Sequence, residues 1–174
     1  MNTQEIKKII RDVPDFPKKG ILFKDLTTAF INPECLDWFD KEIVELYKDK
    51  GITKVLGIES RGFIVGSIVA KDLHAGFVPI RKKGKLPAKV TEISYQKEYG
   101  TDVIQIHTDA IDSNDIVLIH DDLLATGGTM EAAVQLVKSM GAKKIYVNFL
   151  VELADLNGRN YISKDVEVTS LITY

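Results

Sequence analysis

Asp121 and Asp122 stand side by side at the end of an apolar run, and Ala125, Thr126, Gly127, Gly128 and Thr129 follow them in the stretch IHDDLLATGGTM (119–130). Adjacent carboxylates repel each other unless something cationic or hydrogen-bonding satisfies them. Glycines ahead of a helix free backbone N–H groups to face an anion, and threonines add hydroxyl donors. A phosphate alone gains nothing from nearby carboxylates, but a sugar diol donates to them. The loop therefore reads as a ribose-phosphate cradle, with acids for the 2′- and 3′-hydroxyls and residues 125–129 for a 5′-phosphate. No Lys-Ser or Lys-Thr follows the glycines, which excludes a Walker A loop, and the spacing is not G-x-G-x-x-G. A solvated turn with a helix cap is the bland alternative; the ATGGT run at a strand end favours the ligand.

Two further clusters invite polyanion chemistry. Glu59, Ser60, Arg61 and Gly62 follow a second buried run, where a βα turn with Glu and Ser as caps is the plain reading. RKKGKLPAK (81–89) gathers five cations in nine residues of a chain whose net charge is −2. That concentration favours a pyrophosphate-like ligand for Arg81 and Lys85, with Lys82 sharing it, over a merely solvated face. Lys83 and Lys89 are expected to face solvent. His74, His107 and His120 show no metal-ligand spacing to one another or to Cys35 and are expected to be structural or surface groups. Trp38, Tyr146 and Phe149 are expected in the core.

The elements must bring these groups together. A chain of 174 residues suits one domain, which on average buries roughly 70% of its unfolded surface and needs no staples. The net charge argues against a surface dedicated to nucleic acid. A lone cysteine, Cys35, forms no internal disulfide and suits a reducing compartment. MNTQEIKKIIRDVPDFP has no apolar signal-peptide core, and no apolar run approaches the roughly 20 residues that span a bilayer; a soluble cytoplasmic protein is expected. Ile6, Ile9, Ile10 and Val13 have the spacing of a short helix ended by Pro14 and Pro17, and ILFKD (21–25) reads as extended. Pro33 opens a helix striped by Leu36, Phe39, Ile43, Leu46 and Tyr47 that closes near Gly51. Strand-like TKVLGIES, AGFVPIRK, DIVLIHDD and KIYVNFLVEL then alternate with helical GFIVGSIVAKDL and TMEAAVQLVKSMG. This predicts an α/β fold, an open and mainly parallel twisted sheet with helices on both faces. Between 83 and 110 the alternation breaks: VTEISYQ and DVIQIHT flank KEYGT, a β-hairpin excursion or mobile arm. VEVTSLITY alternates as an edge strand.

VLIHDDLLATGGTM resembles the signature of the type I phosphoribosyltransferases, and the rest of the chain is similar to the adenine phosphoribosyltransferases among them. DFPKKGILFKDLT (15–27), GIESRGFIVG (57–66), PIRKKGKLP (79–87), SYQKEYG (94–100) and LVELADLNGR (150–159) carry the likeness in the expected order. One such motif is weak; six in order are specific. His120 stands where the family commonly has an aliphatic residue, and Glu59 and Lys24 stand where some members have Asp and Arg. The resemblance implies transfer of a phosphoribosyl group from PRPP to adenine, giving AMP and pyrophosphate, with Mg²⁺ bound mainly through PRPP near Asp121 and Asp122. It implies a single domain, with an N-terminal hood over about 1–32, a catalytic core over about 33–174 and a flexible arm over about 90–105. By the same likeness Glu98 is the acid/base for the purine N7 proton and Tyr99 shields the reacting centre. Leu22, Phe23, Lys24 and Leu156 form the adenine pocket, and Glu59, Ser60 and Arg61 hold pyrophosphate unless Arg61 reaches the base. Part of the basic stretch meets a neighbouring subunit, which implies a homodimer.

Two competing readings follow. One is a phosphoribosyltransferase for a 6-oxopurine, which needs a donor where adenine's 6-amino group needs an acceptor. The other is a PRPP-sensing regulator that binds DNA, but the residues before Pro14 are too few for a helix-turn-helix. No nucleic acid and no membrane is expected as a partner.

Overall fold

In the computed structural model, which describes residues 1–96 and 100–174, the alternating pattern becomes a sheet covered on two sides. The first part of the chain runs α1 (Thr3–Ile9), β1 (Arg11–Pro14), β2 (Leu22–Asp25), α2 (Thr27–Phe30) and α3 (Pro33–Tyr47). It continues through β3 (Lys54–Ile58), α4 (Gly62–Asp72), β4 (Gly76–Lys82), β5 (Val90–Gln96) and β6 (Thr101–His107). It ends with β7 (Ile116–Leu124), α5 (Gly128–Ser139), β8 (Lys144–Glu152) and β9 (Glu167–Thr173). Asn2 and Glu5 form a reciprocal capping box on α1. The Asn32 side chain caps α3, with Pro33 as its first residue.

The main sheet has the order β5-β6-β4-β3-β7-β8-β9. β4, β3, β7, β8 and β9 are mutually parallel, while β6 runs antiparallel to β4 and β5. β1 and β2 form a separate antiparallel pair. Side chains alternate along each strand. Val117 and Ile119 therefore pack with Val134 and Val137 of α5, while Leu118 meets the layer of Phe39, Ile43, Val65 and Val69 from α3 and α4. Each such fully buried Val, Leu, Ile or Phe contributes about 1.5–3 kcal/mol. Among the described residues no helix is long and apolar enough to cross a membrane.

One expectation is corrected. The helix expected over Ile6 to Val13 stops at Ile9, and Ile10 is already extended. Val13 pairs with Phe23 in β1–β2 instead, because Pro14 pushes the residue before it out of the helical region and LFKD offers a partner edge. The β-hairpin read between 83 and 110 forms from β5 and β6, and it also joins the main sheet. Arg81 and Lys82 pair with Gln105 and Ile104, since DVIQIH places Ile104 and Ile106 in the buried core.

Candidate active site

Clefts in such sheets open at the carboxyl ends of the strands, and the groups singled out above lie there. Gly127, at φ 86, sits ahead of α5, whose start no side chain caps. The first amides of that helix have no intrahelical acceptor and face a small cavity of about 100 Å³ bounded by Asp121, Ala125, Thr126, Gly127, Gly128 and Thr129. The loop has close neighbours on its other side. A Cβ on Gly127 would overlap the Gly158 carbonyl oxygen, and a Cβ on Gly158 would overlap that of Ala125. Two glycines thus let the 125–128 loop and the turn after β8 touch backbone to backbone. Arg159 fastens that turn, donating to Glu152 Oε1 at 2.7 Å, Glu152 Oε2 at 2.6 Å and the Val168 carbonyl at 2.7 Å.

Asp122 is 2% exposed and accepts a hydrogen bond from Arg61 Nε. Partial burial works against the Arg61 charge, but the Asp122 and Asp121 carboxylates outweigh it and raise its pKa. Asp121 Oδ1 accepts from the Asp122 amide at 2.9 Å. Burial, then the Asp122 charge, pushes the Asp121 carboxyl well above its usual range. The strand presses so closely on α4 that a Cβ on Gly62 would strike the His120 carbonyl oxygen at 2.7 Å, which explains the glycine after Arg61.

His120 belongs to the sheet's interior. Its Nδ1 lies 3.0 Å from Asn148 Oδ1, on the adjacent rung of β8. Asn148 Nδ2 donates to Thr169 Oγ1 of β9 at 2.9 Å, and Tyr47 OH lies 2.7 Å from the same oxygen. The amide's donor is therefore spent on Thr169, its oxygen accepts from Nδ1–H, and Nε2 finds no partner among the described residues. Burial holds this histidine down to about 4, so it is neutral beside the acid pair at neutral pH.

Glu59, Arg81, Lys82, Tyr95, Asp121 and Thr129 surround a cavity of about 190 Å³. Arg81 Nε and Nη2 donate to Glu59 at 3.2 and 3.3 Å, and the Lys82 amide adds a bond at 3.0 Å. Burial opposes the Glu59 charge, yet these donors hold its carboxyl below the usual range. Ser60 is exposed at the turn, and the Glu59–Ser60 peptide is cis. Lys82 and Lys85 are exposed, and the Lys85 carbonyl accepts from Arg81 Nη1 at 3.3 Å. Lys83 is exposed too, 3.6 Å from Glu92. Tyr95 had no role in the sequence reading, yet its hydroxyl accepts from Thr129 Oγ1 at 3.2 Å and ties β5 to the start of α5. Period-two alternation in VTEISYQ was the signal that could have put it on that face.

An apolar recess of about 400 Å³ is bounded by Val13, Phe16, Phe23, Lys24, Leu26 and Arg61, with Asp25 and Thr27 at its polar side. Phe16 and Phe23 meet edge to face at 5.1 Å. Asp25 accepts from Thr27 Oγ1 and from Arg11, which holds its carboxyl down to about 2. Leu22 and Leu156 do not line this recess; they are 51% and 46% exposed. Glu98 and Tyr99 lie outside the described residues.

The comparison with known proteins decides among the readings. A model of the phosphoribosyl transferase domain matches residues 32–172. An adenine phosphoribosyltransferase from Bacteroides thetaiotaomicron is 62% identical over 99% of this chain and 98% of its own. The chain belongs to the adenine phosphoribosyltransferase family. Among solved family structures, that from Rhodothermus marinus is 49% identical with a TM-score of 0.93, covering 99% of this chain and 98% of the other. The Giardia lamblia enzyme complexed with 9-deazaadenine is 43% identical with a TM-score of 0.95, covering 100% and 98%. Several Glu, Asp and His side chains lie near the family's signature loop, but among the described residues no three His, Cys, Asp or Glu side chains gather to hold a metal ion. One or two carboxylates at Asp121 and Asp122 still suit a Mg²⁺ whose remaining ligands are phosphate oxygens and water.

Gly158 is the family-motif residue whose part emerges only from the geometry. Gly158→Ala is expected to raise the KM for PRPP by about tenfold and to lower the unfolding temperature, because overpacking against a backbone carbonyl costs about 1–3 kcal/mol. Steady-state kinetics and a thermal melt on the same preparation check it.

Proposed function

We propose that this chain transfers the 5-phosphoribosyl group of PRPP to adenine, releasing pyrophosphate and AMP, in purine salvage. The observation that carries the reading is the position of Arg61. It lines the apolar recess and bonds Asp122, so a flat apolar base and a sugar diol would share one wall. The family membership and the 9-deazaadenine bound to the Giardia relative support adenine as the base. Phe23 and Lys24, which line the recess, are assigned to it, with backbone groups reading its edge and Arg61 beside it; Leu22 and Leu156, exposed and off the recess lining, are assigned to it by the family likeness alone.

The transition state at C1′ resembles an oxocarbenium ion, which sets the division of labour. Asp121 and Asp122 accept from the 2′- and 3′-hydroxyls and fix the ring. The amides of 125–129, with the Thr126 and Thr129 hydroxyls, hold the 5′-phosphate. Arg81, Lys82 and Lys85, with Ser60 and the Glu59 turn, hold the leaving pyrophosphate. The N9 lone pair forms the bond to C1′ while the C1′–O bond breaks and its electron pair leaves with pyrophosphate. Glu98 takes the N7 proton, and Tyr99 screens the centre from water, which would otherwise hydrolyse the sugar. Mg²⁺ bound with PRPP near Asp121 and Asp122 would neutralise pyrophosphate charge. A cytoplasmic homodimer fits the buried lone Cys35 and the basic stretch at residues 81–89.

The test is AMP formation from PRPP and labelled adenine, with and without Mg²⁺, beside hypoxanthine and guanine. Adenine turnover at least about a hundredfold above the oxopurines is expected, the discrimination of a site built to pair one polar edge. Equal use of hypoxanthine overturns the base assignment; PRPP binding with no nucleotide formed overturns the reaction.

A further inference from the structure

Tyr174 sits where three elements meet. The Lys24 ammonium lies over its ring, 4.0 Å from the centroid, and the Lys7 ammonium lies 4.8 Å from it. Lys24 follows Phe23 on β2 and borders the apolar recess. Its ammonium also pairs with Asp12 of β1 at 2.6 Å, and its side chain is only 11% exposed. The cation is therefore clasped between a carboxylate and a ring face, away from bulk water, where the attraction of a cation for an aromatic face is at its larger values. Lys7 Nζ donates to the Thr173 carbonyl at 2.6 Å, and the Tyr174 hydroxyl donates to the Lys7 carbonyl at 3.4 Å. The Tyr174 backbone faces the other way. Its amide donates to Glu152 O at 2.9 Å and its carbonyl accepts from Ala154 N at 2.9 Å, where the turn bearing Leu156 begins.

We propose that Tyr174 is a positioning residue for the base recess: its ring seats the Lys24 ammonium while its backbone anchors the turn that carries Leu156. The recess-lining strand β2 and the turn after β8, far apart in sequence, are then held at one spacing by a residue outside the recess lining. This rests on the assignment of the recess to adenine. It also gives Lys24 a definite part. The side chain is used to fasten β2 to β1 and to the sheet's edge, which leaves the backbone of residues 22–24 to meet the base.

The experiment compares KM for adenine, KM for PRPP and kcat in the full chain and in Tyr174→Phe, Tyr174→Leu, Tyr174→Ala and Phe23→Ala. Tyr174→Phe keeps the ring face and is expected within about twofold of the parent. Tyr174→Leu and Tyr174→Ala are expected to raise the adenine KM about three- to tenfold, the range of a partly desolvated cation–π pair, with the PRPP KM unchanged. If Tyr174→Ala does not fold, Tyr174→Leu fills the space without a π face and carries the comparison. An adenine KM unchanged in Tyr174→Leu overturns the proposal, and so does an equal rise in both KM values, which marks a general structural loss. If Phe23→Ala also leaves the adenine KM unchanged, the recess assignment itself fails and the proposal falls with it; a large Phe23→Ala effect beside a silent Tyr174→Leu sinks the proposal alone.

Discussion

Asp122→Ala is expected to lower kcat/KM for PRPP by about a hundred- to a thousandfold while the chain still folds. The carboxylate is buried and held by Arg61, so it is aimed rather than free to wander. Hydrogen bonds to a charged group contribute about 1.5–3 kcal/mol each. A diol that loses such a bond, and an Arg61 that loses its anchor, together remove about 3–4 kcal/mol, at roughly 1.4 kcal/mol per factor of ten. Folding should tolerate the change, because the Arg61 side chain is 47% exposed and its guanidinium can turn to water. Asp122→Asn keeps the shape and one acceptor, and a loss nearer tenfold is expected. Initial rates at varied PRPP, with a thermal melt of each variant, make the comparison. A kcat/KM for Asp122→Ala within twofold of the parent would remove the diol from this residue.

The acid pair at a strand end and the loop into α5 were legible because their pattern is local: IHDDLLATGGTM carries strand, acids, glycines and helix start in one stretch. The sheet was legible for a similar reason, since a fully buried parallel strand such as KIYVNFLVE needs an unbroken apolar run. What sequence could not give were contacts between distant segments. The backbone contact between Gly127 and Gly158 joins a helix start to a turn that only the closed fold brings near. Tyr95 reaching Thr129, and Tyr174 reaching Lys24, are of the same kind. The early helix was drawn too long because its spacing continued through Val13, while Pro14 and the pairing with Phe23 decided otherwise. Nor does local pattern show that His120, Asn148 and Thr169 fall on neighbouring strands at one level, where a buried neutral imidazole is satisfied at one nitrogen. Register across parallel strands is a tertiary property.

Glu98→Gln should lower kcat by about a hundred- to a thousandfold and leave the KM for PRPP within about threefold. The size is that of a lost general base. The split between the two constants follows from where the charge is needed. In the proposed reading PRPP is held by the turn after β3, by Arg81, Lys82 and Lys85, by Asp121 and Asp122 of β7 and by the loop ahead of α5, none of which requires a carboxylate in the segment between β5 and β6. Adenine attacking through N9 must give up its N7 proton as the new bond grows, and a neutral amide cannot take it. The described flanks end beside the loop ahead of α5: Gln96 pairs with Thr101, and the Gln96 carbonyl lies 4.0 Å from the position a Cβ would take on Gly128. A pH profile sharpens the test. If Glu98 accepts the proton, the parent's kcat falls on the acid side as the carboxyl protonates, and Glu98→Gln loses that limb while keeping its low rate. Single-turnover rates, which set product release aside, should show the same loss. A variant with the parent's single-turnover rate and the parent's acid limb would assign the proton to another acceptor.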